Sequence, residues 1–222
     1  EGEIVIELFK LCHKTWKGFL NSHKSRLHIS LFHHIFSEQE KAKVRVRIND
    51  WVRNKNQISG SYIRMLASAG MHITILCSYF LPGRIIRRHL VKAAKRGVKI
   101  QVIMAGVSDV KLAKYAERFI YRNLLRYDIK IYEYQKNILH GKIAICDNEF
   151  MTIGSYNVNN ISAYASIELN LDVKNEEIVK HAANILNNII QKDCINITNE
   201  YLSNKSNIFQ QFLNSFYLLS QR

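Results

Sequence analysis

Apolar positions along the chain recur first with a helical period and then alternate between helical and two-residue periods. Val5, Leu8, Phe9, Cys12, Trp16 and Phe19 fall on one side of a helical wheel from Gly2 to about Leu20, with Glu7, Lys10, Lys14 and Lys17 elsewhere on it. Lys43-Val44-Arg45-Val46-Arg47-Ile48 alternates charged and β-branched residues, the pattern of a half-exposed strand, and Asn49-Asp50 closes it. Ser59 or Ser61 is placed to cap a helix through about Ser68 that ends at Gly70. Met71 to Tyr79 reads as a strand, stopped by Phe80-Leu81-Pro82-Gly83. A helix on Ile86, Leu90, Ala93 and Ala94 then closes at Gly97 before the strand Val98 to Met104. Those strands form a β-α-β unit, so they are expected to lie parallel in one sheet.

Ser108-Asp109 is the expected cap of a further helix with its apolar stripe on Leu112, Ala116, Phe119 and Ile120. The strand Ile129 to Tyr134 follows, then a hairpin-like pair around Asp147-Asn148 and a loop from Asn157 to Ala163. A strand through Ile167–Val173 and a helix from about Glu176 to Ile190 complete the ordered pattern. At the far end Phe209, Phe212, Leu213, Phe216 and Leu219 share one helical face. Packing on the domain is the favoured reading of it over contact with a membrane surface, because few cations flank it.

Composition narrows the class. With 222 residues, 47% of them hydrophobic and 23% charged, the chain is sized for one well-cored globular domain rather than a disordered segment. No apolar run approaches the roughly 20 residues that span a bilayer, and Glu1-Gly2-Glu3 is not the basic start of a signal peptide. The absence of an initiator Met leads us to expect a fragment of a longer polypeptide. Cys12, Cys77, Cys146 and Cys194 form no zinc spacing and no disulfide framework, which fits a reducing compartment. A net charge of +14 implies attraction to polyanions: nucleic acid, an anionic leaflet or a phosphate-bearing substrate. The histidine-rich stretch from Asn21 to His34 matches no ligand spacing and reads as a solvated surface segment.

Candidate chemistry concentrates in Ile138-Leu139-His140-Gly141-Lys142-Ile143-Ala144-Ile145-Cys146-Asp147, then Gly154-Ser155-Tyr156-Asn157, then Glu168-Leu169-Asn170. His140 and Lys142, two apart in a run of strand character, are expected to leave the same face of a sheet. An imidazole can attack phosphorus or protonate a leaving oxygen, while Lys142, Ser155 and Asn157 can hold phosphoryl oxygens as charge builds.

The order H-x-K-x-x-x-x-D, G-S-x-N and a following Glu resembles the HKD motif of the phospholipase D superfamily. Tyr79-Phe80-Leu81-Pro82, Arg96-Gly97-Val98, Ser108-Asp109 and Tyr132-Glu133-Tyr134-Gln135 extend the resemblance, from about Val44 to Val173, to the C-terminal half of bacterial cardiolipin synthases. The resemblance implies an α/β fold: a mixed, largely parallel β-sheet flanked by helices on both faces, a phospholipase D-like half. The expected organisation is an N-terminal helix and basic connection over 1–40, a catalytic domain over 41–195 and a helical extension over 196–222. In that family two halves, each with its own H-x-K, face each other across one site. One histidine attacks phosphorus to give a phosphohistidine, and the other protonates the leaving alcohol. Here one H-x-K is present and no internal repeat supplies a second, so a partner half is expected from a longer polypeptide or from a second copy of the chain.

Carried onto this sequence, the resemblance makes His140, Lys142, Asp147 and Glu168 the catalytic set, with Lys142, Ser155 and Asn157 binding the substrate phosphate. His140 leans to the proton-donor role and Glu168 to orienting the imidazole. Asp147 is open between catalysis and bracing the motif. No metal and no cofactor are implied. The favoured substrate is a phospholipid at an anionic membrane surface, with the chain peripheral on the cytoplasmic face. The alternatives are a metal-independent phosphodiesterase acting on nucleic acid as a homodimer, and a non-catalytic phospholipase D-like module.

Overall fold

A computed structural model describes residues 3–19, 42–107 and 111–204. The amphipathic helix α1 (Glu3–Phe19) lies against β1 (Lys43–Asp50), whose alternating residues form the strand expected of them. There follow β2 (Lys55–Asn56), α2 (Gln57–Ser68), β3 (His72–Cys77), α3 (Arg84–Lys95), β4 (Lys99–Ala105), α4 (Lys111–Leu125) and β5 (Lys130–Tyr134). The hairpin β6 (Ile143–Cys146) and β7 (Phe150–Gly154), the short helix α5 (Asn160–Tyr164), β8 (Ile167–Lys174), α6 (Glu176–Asp193), β9 (Cys194–Ile197) and α7 (Asn199–Asn204) complete the domain.

Among the described residues the nine strands join one sheet in the order β2-β1-β8-β7-β6-β3-β4-β5-β9. β3 and β4 pair in parallel as the β-α-β pattern predicts, and β4 and β5 repeat the arrangement. Every other pairing is antiparallel, which corrects the expectation of a largely parallel sheet. The reason is connection length: a parallel neighbour needs a crossover of about a dozen residues or more, and β6 and β7 are joined by a tight turn in which Asp147 and Asn148 take φ of 50° and 58°.

Helices cover both faces. On one, Ile73, Ile75, Val102 and Ile131 pack with Tyr62 and Leu66 of α2, Leu90 of α3 and Tyr121 of α4. On the other, Leu76, Ile103, Ile145 and Val173 pack with Val179 and Leu186 of α6. Each such side chain contributes about 1.5–3 kcal/mol on burial, so the frame rests on these layers rather than on the polar groups at the strand ends.

Several local expectations change. Ser59 and Ser61 lie inside α2 rather than capping it. The amides of Ile58 and Ser59 are met instead by Asn49 Oδ1, at 2.9 and 3.4 Å, so a fully buried β1 side chain supplies the cap from across the fold. The expected loop from Asn157 to Ala163 contains α5, because Asn159 Oδ1 accepts from the Ser162 amide at 2.7 Å. Ala116 is exposed on α4, whose buried side instead carries Lys114, Glu117, Ile120, Tyr121 and Leu124. The boundary expected at 195 falls inside β9, whose Ile197 pairs with Ile131 and is buried. The histidine-rich stretch, the Ser108-Asp109 cap and the stripe from Phe209 to Leu219 lie outside the described residues.

Strand register brings the chemistry to one edge. Leu76 near the end of β3 pairs with Ile143 at the start of β6, Ile143 with Ile153, Gly154 at the end of β7 with Asn170, and Ile167 at the start of β8 with Asp50. The connections carrying His140, Ser155 and Asn157 therefore emerge together, beside Glu168 near the start of β8.

Candidate active site

Just before β6 the chain is tied to β7 by the Gly154 amide, which donates to the Lys142 carbonyl at 3.1 Å. Lys142 is 6% exposed. Its Nζ donates to the His140 carbonyl at 2.6 Å and to the Ser78 hydroxyl at 3.2 Å. Burial holds its pKa below the ordinary lysine value, with the Glu168 carboxylate acting in the opposite direction. His140 is exposed, and its imidazole bonds to no described residue. Both residues precede the strand instead of standing on it, so the sheet-face expectation gives way to a division of labour. The lysine doubles back to fix the backbone of His140, and the imidazole is left facing solvent.

The Gly154-Ser155-Tyr156-Asn157 turn is built on close contact between β7 and β8. A Cβ on Gly154 would lie 2.1 Å from the Leu169 carbonyl oxygen and 2.6 Å from the Asn170 Cα, so only glycine fits. Ser155 then donates its amide to the Leu169 carbonyl at 2.9 Å. Fully buried Asn170 accepts from the Tyr156 amide at 3.2 Å and donates to Thr152 Oγ1 at 3.0 Å. These bonds aim Asn157 at the end of β3, where its Oδ1 accepts from the Tyr79 amide at 3.3 Å. The Asn157 carboxamide and Lys142 Nζ thus meet on the adjacent residues Tyr79 and Ser78, with exposed His140 held by its backbone two residues before the lysine, a donor-rich setting for an anion.

Glu168 sits beside this group but does not orient the imidazole as expected. Its two carboxylate oxygens accept from the hydroxyls of Ser155 and of Ser166, the latter at 2.8 Å. The carboxylate fixes Ser155, and its charge reaches Lys142 through space.

Asp147 stands at the opposite end of β6. Its carboxylate accepts from the amides of Gly70, Met71 and His72 at 2.7, 2.9 and 2.8 Å. Burial alone would raise its pKa, but these three amides outweigh it and hold the carboxyl below the usual aspartate value. Of the two roles left open for Asp147, these bonds are those of a brace for the α2–β3 turn.

A family described as cardiolipin synthase, PLD-like domain, matches residues 62–190, the span from within α2 into α6. The chain belongs to that family. It is 31% identical over 153 residues to cardiolipin synthase B of Escherichia coli (strain K12), an alignment covering 69% of this chain and 37% of that protein. The chain thus matches little more than a third of that relative's length. Among solved structures, the phospholipase D family member Nuc from Salmonella typhimurium superposes with a TM-score of 0.59 at 18% identity, over 71% of this chain and 99% of its own. Phosphatidylserine synthase from Haemophilus influenzae Rd KW20 superposes with a TM-score of 0.63 at 12% identity, over 84% of this chain and 48% of its own. Both share the fold.

In this cardiolipin synthase PLD-like domain two further contributors escaped sequence reasoning. Ser78 meets the Lys142 ammonium from the end of β3; it has no motif of its own, and only the strand pairing places it there. Glu117 on α4 accepts from the Phe80 amide at 2.8 Å and so holds the Ser78–Phe80 segment from beneath. It belongs to a buried cluster in which Lys114 pairs with Glu133 at 2.8 Å and Tyr121 donates to Glu133 at 3.0 Å. Burial pushes the Glu117 carboxyl up to about 7, against the pull of Lys114. Beside Asn157, a cavity of about 250 Å³ opens between α3 and α5, lined by Ser59, Ile63, Ile85, Tyr156, Val158 and Tyr164 among others.

Proposed function

We propose that this domain carries one half of a phosphodiester-transfer site acting on phospholipid, with His140 as its reacting imidazole. The observation that supports this most is the pairing of an exposed, unbonded imidazole with a buried ammonium clamped two residues away, beside the Asn157 amide. A phosphodiester bound there would place its oxygens against Lys142 and Asn157, with Ser155 assisting under Glu168. One imidazole attacks phosphorus and the substrate's alcohol leaves with a proton from the other. Water or a second alcohol then gives its proton back to that second imidazole and attacks the phosphohistidine, restoring the first. His140 fills one of these two roles, with the proton donor favoured, and a second H-x-K half supplies the other. That half belongs either to a longer polypeptide or to a second copy of the chain. A cytoplasmic-facing, peripheral position fits this reading, as does a catalytic domain that begins near residue 41.

Hydrolysis of phosphatidylglycerol and of single-stranded DNA, measured side by side with light scattering of the same sample, tests the proposal. Preference for the lipid by an assembly containing two H-x-K halves is the expected result. A fully active monomer of this chain contradicts the need for a second half. A preference for DNA selects the nucleic-acid reading, which is favoured by one feature: Arg84, Arg88 and Lys92 form an exposed stripe on α3, a helix without a carboxylate. Inactivity of every such assembly on both substrates would select the non-catalytic module.

A further inference from the structure

The two edges of the sheet differ in what their connections expose. On the edge that carries His140, Trp51, Val52, Ile138, Ile161, Tyr164 and Ile167 are each between 53% and 68% exposed. They come from separate places in the chain: the turn after β1, the connection two residues before His140, α5 and the first residue of β8. Register nonetheless gathers them along the strand ends from β6 through β7 and β8 to β1, a span of about 15 Å at the usual strand spacing. Among the described residues, the connections on the opposite edge expose Met71 as their one large apolar side chain. A soluble surface tolerates scattered apolar residues, but not their concentration around one site without a reason.

Cations accompany them. Lys55 and Arg84 are exposed on the same edge, and Arg88 follows Arg84 one turn along α3, within a chain of net charge +14. The cavity between α3 and α5 opens beside the same rim, with Ile85 and Tyr164 in its lining. Interfaces between proteins gather apolar groups into a packed core from which lysine is depleted. Here the apolar groups stand apart, on a turn, a connection, a short helix and a strand end, with cations among them. Trp51 and Tyr164 add amphipathic rings of the kind that settle at lipid headgroup level.

We propose that this rim is a docking surface for an anionic phospholipid bilayer, its apolar tips entering the headgroup layer so that His140 faces the lipid phosphates. The proposal rests on the phospholipid reading above and adds the orientation of the domain and the residues that set it. Lipid phosphates would lie level with Lys142 and Asn157 once Ile138 and Ile161 are inserted on either side of them. The rim is thereby both anchor and approach route, delivering substrate without removing it fully from the bilayer.

The chain contains two tryptophans, so Trp16→Phe leaves Trp51 as the sole reporter. That protein is mixed with vesicles of phosphatidylglycerol and phosphatidylcholine, or of phosphatidylcholine alone, carrying brominated acyl chains. Trp51 emission is expected to shift to the blue and to be quenched by the anionic vesicles well beyond the neutral ones. Ile161→Asp is expected to weaken vesicle binding by about tenfold or more, and Met71→Asp on the opposite edge to leave it unchanged. Inorganic phosphate, followed through the His140 ring resonances by NMR, reports on the site separately. If phosphate fails to bind while vesicle binding keeps this pattern, the docking surface stands and the catalytic reading falls. The proposal is overturned if vesicles leave Trp51 emission unchanged, or if Met71→Asp weakens binding as much as Ile161→Asp. It is also overturned if Trp51 is already shielded without vesicles in a particle of twice the chain mass, since a second copy would then occupy the rim.

Discussion

At the end of β6, Asp147 spends both carboxylate oxygens on three backbone amides, whereas at the start of the same strand the His140 ring is exposed and bonded to nothing described. The two residues belong to one short sequence pattern, and the strand between them separates their roles. At the Asp147 end, the positive φ of Asp147 and Asn148 turns the chain tightly, and the carboxylate cross-links that turn to the start of β3. At the other end, the polar groups supporting the site, Lys142, Ser155, Asn157 and Glu168, are themselves fixed while the imidazole is left available. A group that is fully satisfied in the folded chain serves the fold, and an unspent group held among satisfied neighbours is free for chemistry.

The largest effect expected from breaking this contrast is at His140. Replacing it by Ala or Asn, in an assembly that supplies the second imidazole, should lower turnover by about two to four orders of magnitude, the usual worth of an acid–base or nucleophilic group. The melting temperature should hold, because no described bond is lost. Near-native turnover would remove His140 from the chemistry, and a variant that does not fold would assign it to structure.

Asp147→Ala should do the reverse: it should lower stability by about 1–3 kcal/mol through the loss of a charged acceptor for three amides, while turnover per folded molecule stays near that of the parent. The sign of its pH dependence follows from a lowered carboxyl pKa. The stabilisation is present above the unfolded aspartate value, near 4, and is lost as pH falls through the lower folded value. Unfolding midpoints of parent and variant should therefore converge in acid, and a gap that stays constant below pH 4 would show that the amide bonds are not what Asp147 contributes.

Why the sequence separated these ends only in part can be read from individual residues. The half-exposed β1 and α1 were legible because burial on one face imposes a period, and β3 and β4 because an apolar, β-branched run between turn signals marks a strand buried on both faces. That His140, Lys142, Ser155 and Asn157 would lie at one end of the sheet was legible because they are close to one another in the chain. Asp147 stayed open between catalysis and bracing, since spacing along a strand says nothing about which end faces the site; only the hairpin and its pairing to β3 do. Glu168 was aimed at the imidazole, but Ser166, two residues before it, takes one oxygen and Ser155 the other. The buried charges of α4 were read through an apolar stripe, although Glu117 and Lys114 occupy that face because Lys114 pairs with both Glu117 and Glu133. The antiparallel half of the sheet depends on long-range pairing of β1 with β8, which no local pattern announces.

Glu117 lies at the site end of the fold and yet is bonded, so it sharpens the distinction in a way that pH can read. With its carboxyl raised to about 7 by burial, the folded chain binds more protons than the unfolded chain between about pH 4 and 7. Its contribution to stability is therefore full below about pH 4 and declines as pH rises through 7. Glu117→Gln keeps an acceptor for the Phe80 amide and removes the titration. The parent's urea midpoint should fall from pH 5 to pH 8 more steeply than the variant's, and equal slopes would refute a buried carboxyl that titrates there. Because Phe80 adjoins Tyr79, a change in the apparent affinity for substrate, at constant turnover, is the expected secondary effect in the variant.

The smallest effect expected is that of a chelator. In the proposed reaction the residues at the His140 end divide the work of phosphoryl transfer: the Lys142 ammonium and the Asn157 carboxamide would face the phosphoryl oxygens, and the imidazole would handle the proton or the phosphorus. A divalent cation at the same oxygens would compete with the Lys142 ammonium for the same lone pairs and add charge repulsion beside a group whose burial already disfavours its protonated form. Turnover of the complete assembly in excess EDTA should match turnover without it. A loss restored by Mg²⁺ or Zn²⁺, but not by an equal concentration of a monovalent salt, would show that a metal ion supplies the charge here assigned to Lys142. The Lys142→Ala variant extends the test: if the ammonium carries that charge, added metal should not recover its activity.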